Sequence, residues 1–234
     1  MQIITATFRV LYELVMPYLP AAAPWLGLAP VLALFWFIGR QLRHPSGWFG
    51  RFWIAPMLNS GNRKLLDASL KCLDARSGER VADIGFGGGY AIDQLIPLVK
   101  PERPIGVEVS EMLVELGGER WDDKVEMYLA AVSEMPLSER SLDAVLTVNT
   151  IYFWSDPVTA LKEIRRVLKP EGRLVLAVGK AWAMRLSPIT WFSFRLYSEN
   201  QLRALLGKAG FDATFEDGGG GLIALAKPTP PAPK

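Results

Sequence analysis

The chain has 234 residues, half of them hydrophobic, which is enough to bury one full-sized core and too few for two large domains. A single cysteine, Cys72, excludes an internal disulfide, and a single histidine, His44, leaves too few ligands for a zinc site. Residues 1–64 hold six basic and one acidic side chain, whereas residues 65–234 hold 20 and 23. Because the larger part has no basic surplus, the composition argues against a nucleic-acid-binding protein.

The first 60 residues contain a long uncharged segment. Residues 21–39 match the about 20 apolar residues that cross a bilayer core. Aromatic residues lie towards its ends and arginines follow it: Trp25, Phe35, Trp36, Phe37, Arg40, Arg43 and Arg51. This pattern predicts a transmembrane anchor that leaves the rest of the chain in the cytoplasm. Prolines such as Pro30 favour the alternative, a hairpin or lid packed on a soluble cytoplasmic domain.

Helical and short apolar segments alternate from residue 62 onward. Helices are predicted at 62–74, 90–99, 111–116, 157–168 and 198–209. Strands are predicted at 80–84, 104–109, 124–129, 142–149 and 172–179, with weaker ones near 211–216 and 222–226. The alternation predicts an α/β domain with a Rossmann-like, doubly wound, seven-stranded and mostly parallel sheet with helices on both faces. This domain would span residues 61–227, between the N-terminal segment 1–60 and a disordered, proline-rich tail, 228–234.

The strongest chemical signal is the sequence VADIGFGGGY, residues 81–90, in which an apolar strand ends in Asp83 and enters a glycine loop. Glycines let the backbone approach a ligand closely. A dinucleotide-binding loop would place its third glycine at position 90, which is Tyr90 here. The Asp83 carboxylate would repel phosphates and attract an ammonium group. The loop therefore favours a nucleoside ligand with a positive charge, and the alternative is a tight turn that packs helix on sheet.

This segment resembles the first motif of the class I S-adenosylmethionine (SAM)-dependent methyltransferases, here Asp83, Ile84, Gly85, Gly87 and Gly89. The resemblance implies that Asp83 faces the methionine part of S-adenosyl-L-methionine and that the loop wraps its centre. Glu108 matches the family acid that accepts the ribose hydroxyls, although a solvated acid at a strand end would look the same. The cofactor-binding residues implied are Asp83, Gly85, Phe86, Gly87, Gly89, Glu108, Val109, Val132 and Asn149.

The resemblance continues through residues 135–154 and 163–176 and is nearest to the small-molecule and lipid branch that includes ubiquinone and menaquinone methyltransferases. One departure is Ala131, near which family members often carry an acid that binds the adenine amino group. Alanine cannot accept a hydrogen bond through its side chain, so the backbone near Val132 and apolar packing would take over.

Ligands of open α/β sheets collect beyond the carboxyl ends of the strands, which places Asn149–Trp154 near the methyl acceptor. Asn149 is either a polar anchor or a turn cap. Candidate catalytic residues are Asn149, Tyr152 and Tyr197, with His44 as a further possible base. The aromatic stretch 181–197 indicates an apolar acceptor pocket or a membrane-facing surface, and ordinary core packing is the alternative.

The sequence thus predicts an enzyme that transfers a methyl group from SAM to a small, hydrophobic or lipid-like acceptor, associated with a membrane and using no metal. The alternative is a non-catalytic SAM-binding or scaffold protein at a membrane. A nicotinamide-dependent reductase is disfavoured because the third glycine and a tyrosine–lysine pair are missing. The sequence does not indicate the oligomeric state.

Overall fold

The computed structural model describes residues 24–191 and 193–230. The start of the predicted membrane segment and most of the predicted tail lie outside these ranges. Seven strands form one sheet in the described chain: β1 Val81–Ile84, β2 Ile105–Glu108, β3 Glu126–Leu129, β4 Leu142–Val148, β5 Leu168–Gly179, β6 Phe211–Asp217 and β7 Gly221–Pro228. Every predicted strand is present, with ends shifted by a few residues.

The strand order is β3-β2-β1-β4-β5-β7-β6. Six strands run in one direction, and β7, between β5 and β6, runs in the opposite direction. The chain builds outward from β1 to β3 and then returns to place β4 on the other side of β1. This change of direction leaves a crevice at the carboxyl ends of β1 and β4, where open α/β sheets bind ligands. Asp83 at the end of β1 pairs with Gly106 of β2 and with Leu146 of β4, which fixes the level of the three strand ends.

Six helices of nine or more residues accompany the sheet in the described chain: α1 Pro24–Arg43, α2 Ala55–Leu73, α3 Tyr90–Leu98, α4 Glu111–Trp121, α5 Pro157–Val167 and α6 Glu199–Lys208. Local signals explain several of their ends. Asp156 caps α5 by accepting hydrogen bonds from Val158 N and Thr159 N, and Ser198 caps α6. Helix α2 begins seven residues before its predicted start, with a proline in its first turn, a position that proline favours.

Both faces of the sheet are covered, as predicted. On β5, Leu174 and Leu176 belong to one apolar cluster with α5 and α6, whereas Val175 and Ala177 belong to another with α2 and α3. Successive strand residues point to opposite faces, so this division follows from the two-residue period of the strand. The short apolar strands are therefore buried on both sides.

Helix α1 is the described part of the apolar N-terminal segment, and it packs on the rest of the protein along one side. Phe35, Gly39 and Gln41 are buried, whereas Trp36 and Phe37 are exposed. A Cβ atom added to Gly39 would lie 3.0 Å from Ser193 Oγ and 3.1 Å from Ile189 O, so the helix backbone closely approaches the segment after β5.

The structure does not support the predicted transmembrane helix at 21–39, of which residues 21–23 lie outside the described ranges. Within the described ranges, no helix is both long and apolar enough to cross a bilayer. The last turn of α1 carries Arg40 and Arg43, and Pro30 lies inside the helix. A run of uncharged residues does not show whether its apolar side chains face lipid or protein. Phe35 is buried and faces the protein. The contacts agree with the alternative prediction, a segment packed on the domain.

Candidate cofactor site

A cavity of about 470 Å³ lies at the carboxyl ends of β1, β2 and β4. This volume falls in the range of small-ligand sites. Seven of the predicted cofactor residues contribute to its wall in addition to Phe86: Asp83, Gly85, Gly87, Glu108, Val109, Val132 and Asn149. The order of the strands brings these residues together from separate parts of the sequence.

The glycine loop turns sharply between β1 and α3. Gly85, Gly87 and Gly89 have φ angles of +72°, +54° and +81°, a region that other residues seldom adopt. Gly85 N donates a hydrogen bond to Val107 O at 2.7 Å, which ties the loop to β2. A Cβ on Gly85 would collide with the Thr150 side chain. Glycine at this position is therefore required both by the backbone angle and by the close approach of the loop after β4.

Two loop residues, Gly89 and Phe86, have packing roles. The sequence analysis had assigned both of them to ligand binding only. Gly89 stands at the N-terminus of α3, and a Cβ there would collide with the Trp121 ring. It does not line the cavity. The Phe86 side chain is buried edge-to-face against Trp121, with ring centroids 5.6 Å apart. Gly89 and the Phe86 ring thus fix the position of the loop.

Sequence reasoning missed Gly88 and its partner Asn59. Asn59 Nδ2 donates to Gly88 O at 2.9 Å, and Tyr90 N donates to Asn59 Oδ1 at 3.2 Å. A Cβ on Gly88 would lie 2.5 Å from Ala55 O, so α2 lies directly against the loop. No local pattern around Asn59 predicts this contact, because Asn59 and Gly88 are 29 residues apart in the chain.

Asp83 is 3% exposed and lines the cavity. Within residues 24–191 and 193–230, it makes neither a hydrogen bond nor an ion pair. Burial, together with the nearby charge of Glu108, raises the pKa of Asp83 to about 8. An unpartnered buried carboxylate is unstable in its charged form. The site therefore favours a ligand that brings a positive charge or a hydrogen-bond donor to Asp83.

Glu108 at the end of β2 is held by backbone groups. Val109 N and Ser110 N donate to Oε1 at 2.8 and 3.2 Å, and Gly87 N donates to Oε2 at 3.2 Å. Burial raises its pKa, and these N–H groups partly offset the effect. A carboxylate has about four acceptor positions, so a ligand hydroxyl can still be accepted. Glu108 is 7% exposed, which disagrees with the alternative of a solvated acid at a strand end.

The comparisons with known proteins agree with this geometry. A model of the methyltransferase domain family matches residues 82–176, from the glycine loop to β5. This match confirms the predicted class I SAM-dependent methyltransferase domain over residues 82–176. A domain of this family implies SAM as the cofactor.

This chain covers only part of the length of the relatives that its methyltransferase domain matches. A 37.1 kDa uncharacterised protein in a transposon of Streptomyces fradiae is 38% identical over 117 residues, 49% of this chain and 34% of that protein. A demethylmenaquinone methyltransferase of Clavibacter sepedonicus is 31% identical over 123 residues, 51% of this chain and 49% of that protein. The chain thus spans about a third to a half of these two relatives.

The fold of the methyltransferase domain is also found in solved structures. A SAM-dependent methyltransferase of Aquifex aeolicus superposes with a TM-score of 0.62 at 23% identity. The superposition covers 74% of this chain and 95% of that protein. At this identity the similarity establishes the fold, and the cofactor site has to be judged from the residues themselves.

SAM fits the residues of the methyltransferase domain. Its ammonium group matches the unpartnered Asp83, and its ribose hydroxyls match Glu108 at the neighbouring strand end. The wall from Ala130 to Ser133, which includes Val132, lies where the resemblance places the adenine. Sequence reasoning did not single out Ser133, whose hydroxyl adds a polar group beside Ala131. These roles stay predictions for each residue.

The acceptor side of the methyltransferase domain is organised by Asn149, which adopts a φ of +59°. Its Oδ1 accepts hydrogen bonds from Tyr152 Oη and Gly179 N, both at 2.9 Å. Its Nδ2 donates to Asn62 Oδ1 at 2.9 Å. Asn149 thus holds a polar network together at the end of β4, and its role as an anchor for the acceptor stays a prediction.

The three candidate bases differ in position. Tyr152 lines the cavity but is 3% exposed, and burial raises its pKa well above the usual range, so it stays protonated at neutral pH. Tyr197 is packed in the apolar cluster of α5 and α6 and does not line the cavity. His44 does line it. The geometry leaves His44 better placed than either tyrosine to accept a proton.

The N-terminal region forms a wall of the cavity that sequence reasoning did not foresee. The residues that contribute from α1, from α2 and from the segment between them are Leu42, Arg43, His44, Pro45, Leu58, Asn59, Asn62 and Leu66. Ser110 Oγ donates to Pro45 O at 2.6 Å, which fixes the segment between α1 and α2 against the end of β2. The uncharged character of the segment had suggested an anchor, and these contacts give it a part in the site.

Proposed function

We propose that this protein transfers the methyl group of SAM to a small, apolar or lipid-like acceptor. The observation that carries the proposal is Asp83, a buried carboxylate that has no side-chain partner among the described residues. It lies at the switch point of the sheet, beside the backbone-held Glu108. When bound, SAM would supply an electrophilic methyl group to the acceptor and would leave as S-adenosylhomocysteine. The protein contributes by positioning both molecules and by excluding water from the cavity.

The side of the cavity next to Asn149 supports an apolar acceptor. It is lined by Tyr152, Phe153, Trp154, Met184 and Phe194. The rings of Phe153 and Phe194 are 4.7 Å apart and edge-to-face, so they form a continuous apolar wall. Among relatives, the protein named as a demethylmenaquinone methyltransferase also supports a lipid-like acceptor.

SAM binding tests the first part of the proposal. We expect saturable SAM binding by calorimetry and none of NADH. Asp83→Asn and Glu108→Gln should each weaken SAM binding at least tenfold, about 1.4 kcal/mol, because each removes a charged acceptor. Glu199→Gln, on an exposed surface of α6, is the matched control and should bind like the wild type.

Absence of SAM binding by folded wild-type protein would contradict the proposal. The alternative of a non-catalytic SAM-binding scaffold has no supporting observation. It would be favoured if SAM bound but label from methyl-labelled SAM never entered any component of an apolar extract.

We also propose that the protein contacts a membrane surface through the segment that follows α1. Trp48, Phe52 and Trp53 are 58–68% exposed, and the rings of Trp48 and Phe52 are 5.9 Å apart. Exposed tryptophans next to arginines such as Arg40 and Arg51 are typical of segments that lie in the headgroup region. In this arrangement the methyltransferase domain stays on the cytoplasmic side, and a soluble cytoplasmic protein is the alternative.

Sedimentation with vesicles that contain anionic lipid tests the membrane proposal. The triple variant Trp48→Ser, Phe52→Ser, Trp53→Ser should lose at least fivefold of the bound fraction, because it removes the largest exposed apolar rings of this region. The control replaces Leu98 and Leu129, which are 48% and 54% exposed elsewhere on the surface. Equal sedimentation of triple variant and control would refute membrane contact through these residues.

A further inference from the structure

A second cavity, of about 670 Å³, lies beside the cofactor cavity. The two cavities share part of their walls, including Arg43, His44, Tyr152 and Phe194. Trp36, Arg40, Trp191 and Arg195 line the second cavity alone. The second cavity therefore adjoins the acceptor side of the cofactor cavity.

The second cavity concentrates positive charge. Arg40, Arg43 and Arg195 line it, and no aspartate or glutamate does. In the part of the chain that the structure describes, none of these arginines forms an ion pair with a carboxylate. Many other arginines do, including Arg51, whose Nη2 is 2.8 Å from Glu119 Oε2. Among the described residues, the three guanidinium groups around this cavity thus have no paired carboxylate.

The protein contacts of these arginines leave most of their donors available. The Arg40 guanidinium lies 5.8 Å from the centroid of the Trp36 ring, and Arg195 Nη1 donates to Ser155 O at 3.4 Å. A guanidinium has five N–H donors, arranged to suit carboxylate and phosphate oxygens. The arrangement is that of a receptor for an anion.

Aromatic rings stand beside the arginines. Trp36 and Trp191 are 49% and 62% exposed, and Trp191 Nε1 donates to Arg185 O at 3.0 Å, which orients its ring. The wall shared with the cofactor cavity adds Phe153 and Phe194. Cations and large apolar surfaces in one cavity suit a ligand that has both an anionic and an apolar part.

We infer that the second cavity binds an anionic group, a carboxylate or a phosphate, that the apolar acceptor carries. This inference rests on the proposed methyltransferase function and defines the acceptor as an anionic amphiphile. The arginines hold the anionic group as a handle and direct the apolar body past Phe153 and Phe194 towards the methyl group. The arginine-bound oxygens are not the methylated atoms, because the guanidinium groups engage their electron pairs.

Binding of defined probes tests the inference without any turnover. The full chain, saturated with S-adenosylhomocysteine, is titrated below micellar concentrations with laurate, dodecyl phosphate, dodecanol and inorganic phosphate. We expect laurate or dodecyl phosphate to bind at least tenfold more tightly than dodecanol and inorganic phosphate, and to weaken as salt is added. Whichever anionic probe binds more tightly identifies the group as carboxylate or phosphate.

Two double variants show whether Arg40 and Arg195 are responsible. These residues line the second cavity alone, so the cofactor should bind as before. R40Q/R195Q should lose at least tenfold of the affinity for the anionic probe and none for dodecanol, whereas R40K/R195K should retain part of it. The control is Arg76→Gln, which replaces an exposed arginine elsewhere on the surface.

The inference is overturned if dodecanol binds as tightly as the anionic probes, if no probe binds, or if R40Q/R195Q binds them like the wild type. Failure of the proposed function has a different signature. In that case S-adenosylhomocysteine does not bind to the wild-type protein, whatever the probes do.

Discussion

At the residue scale, the site depends on two carboxylates that are buried for different reasons. Glu108 is stabilised by three backbone N–H groups, whereas no described group donates to Asp83. The motif alone predicted that both would face a ligand. The difference between them arises from the loop geometry, because Gly87 N and the backbone after β2 point at Glu108 only. Asp83 is therefore the residue most sensitive to the charge of the ligand.

The affinity for SAM should depend on pH through Asp83. With a pKa of about 8 in the ligand-free protein, Asp83 is mostly protonated at pH 7, whereas the SAM ammonium favours the charged form. We expect the affinity to rise between pH 6 and pH 8 and then level off, with release of a proton at pH 7. Calorimetry in buffers of different ionisation enthalpy measures that proton.

Asp83→Asn is the control for this pH dependence. The same substitution also changes the stability of the ligand-free protein. The folded pKa of Asp83 exceeds the unfolded value, near 3.8, so its stabilising contribution is complete below about pH 4 and is lost as the pH rises through 8. Without ligand, the stability advantage of the variant over the wild type should therefore be larger at pH 9 than at pH 5 by about 4 kcal/mol, because about 1.4 kcal/mol is lost per pH unit up to pH 8. An advantage of equal size at both pH values would contradict this assignment.

At the element scale, the glycine loop is positioned by helix α2 as well as by the sheet. Asn59 on α2 bonds to both ends of the Gly88–Tyr90 segment, and Gly88 lies against Ala55 O. The sequence predicted this helix over 62–74 only. Its first turns, which contact the loop, were not predicted because their polar residues, Asn59 to Asn62, do not follow the apolar period of a helix.

Asn59→Ala should weaken SAM binding about three- to tenfold and destabilise the protein by about 1–2 kcal/mol. The substitution leaves Gly88 O and Tyr90 N without their partner, so the loop becomes less ordered. Calorimetric titration and chemical denaturation measure the two effects. Ser60→Ala, one residue further on the exposed side of α2, is the matched control. If both variants bind SAM like the wild type, α2 does not position the loop.

At the scale of the whole molecule, side chains from distant parts of the sequence connect the layers. Arg173 on β5 donates to Leu73 O at 2.5 Å and to Asp74 O at 2.8 Å, at the end of α2. It also forms a two-pronged ion pair with Glu79, at 2.9 and 2.7 Å. The Arg173 partner lowers the pKa of Glu79. This cluster fixes the end of α2 to the centre of the sheet.

Arg173→Ala should lower the free energy of unfolding by about 2–4 kcal/mol, because Glu79 and two helix-terminal carbonyls lose a largely buried partner. Since the folded pKa of Glu79 is depressed, its contribution is present above the unfolded pKa and is lost as the pH falls, so the difference should shrink below about pH 4. Urea denaturation at pH 7 and pH 3.5 measures it. Arg76→Ala, whose side chain is 73% exposed, should have little effect. A similar loss for both variants would contradict the prediction.

The sequence by itself determined the seven strands, the helices between them, the glycine loop and the two acids, since apolar periodicity and glycine spacing are local properties of the chain. Only the tertiary structure decided what the N-terminal region does. An apolar segment reads the same whether lipid or protein covers it, and only packing shows that Phe35 and Gly39 face the protein while Arg43 and Asn59 reach the site. Of the three arginines of the second cavity, two likewise come from the last turn of α1 and one from the segment before α6, and no sequence period joins them.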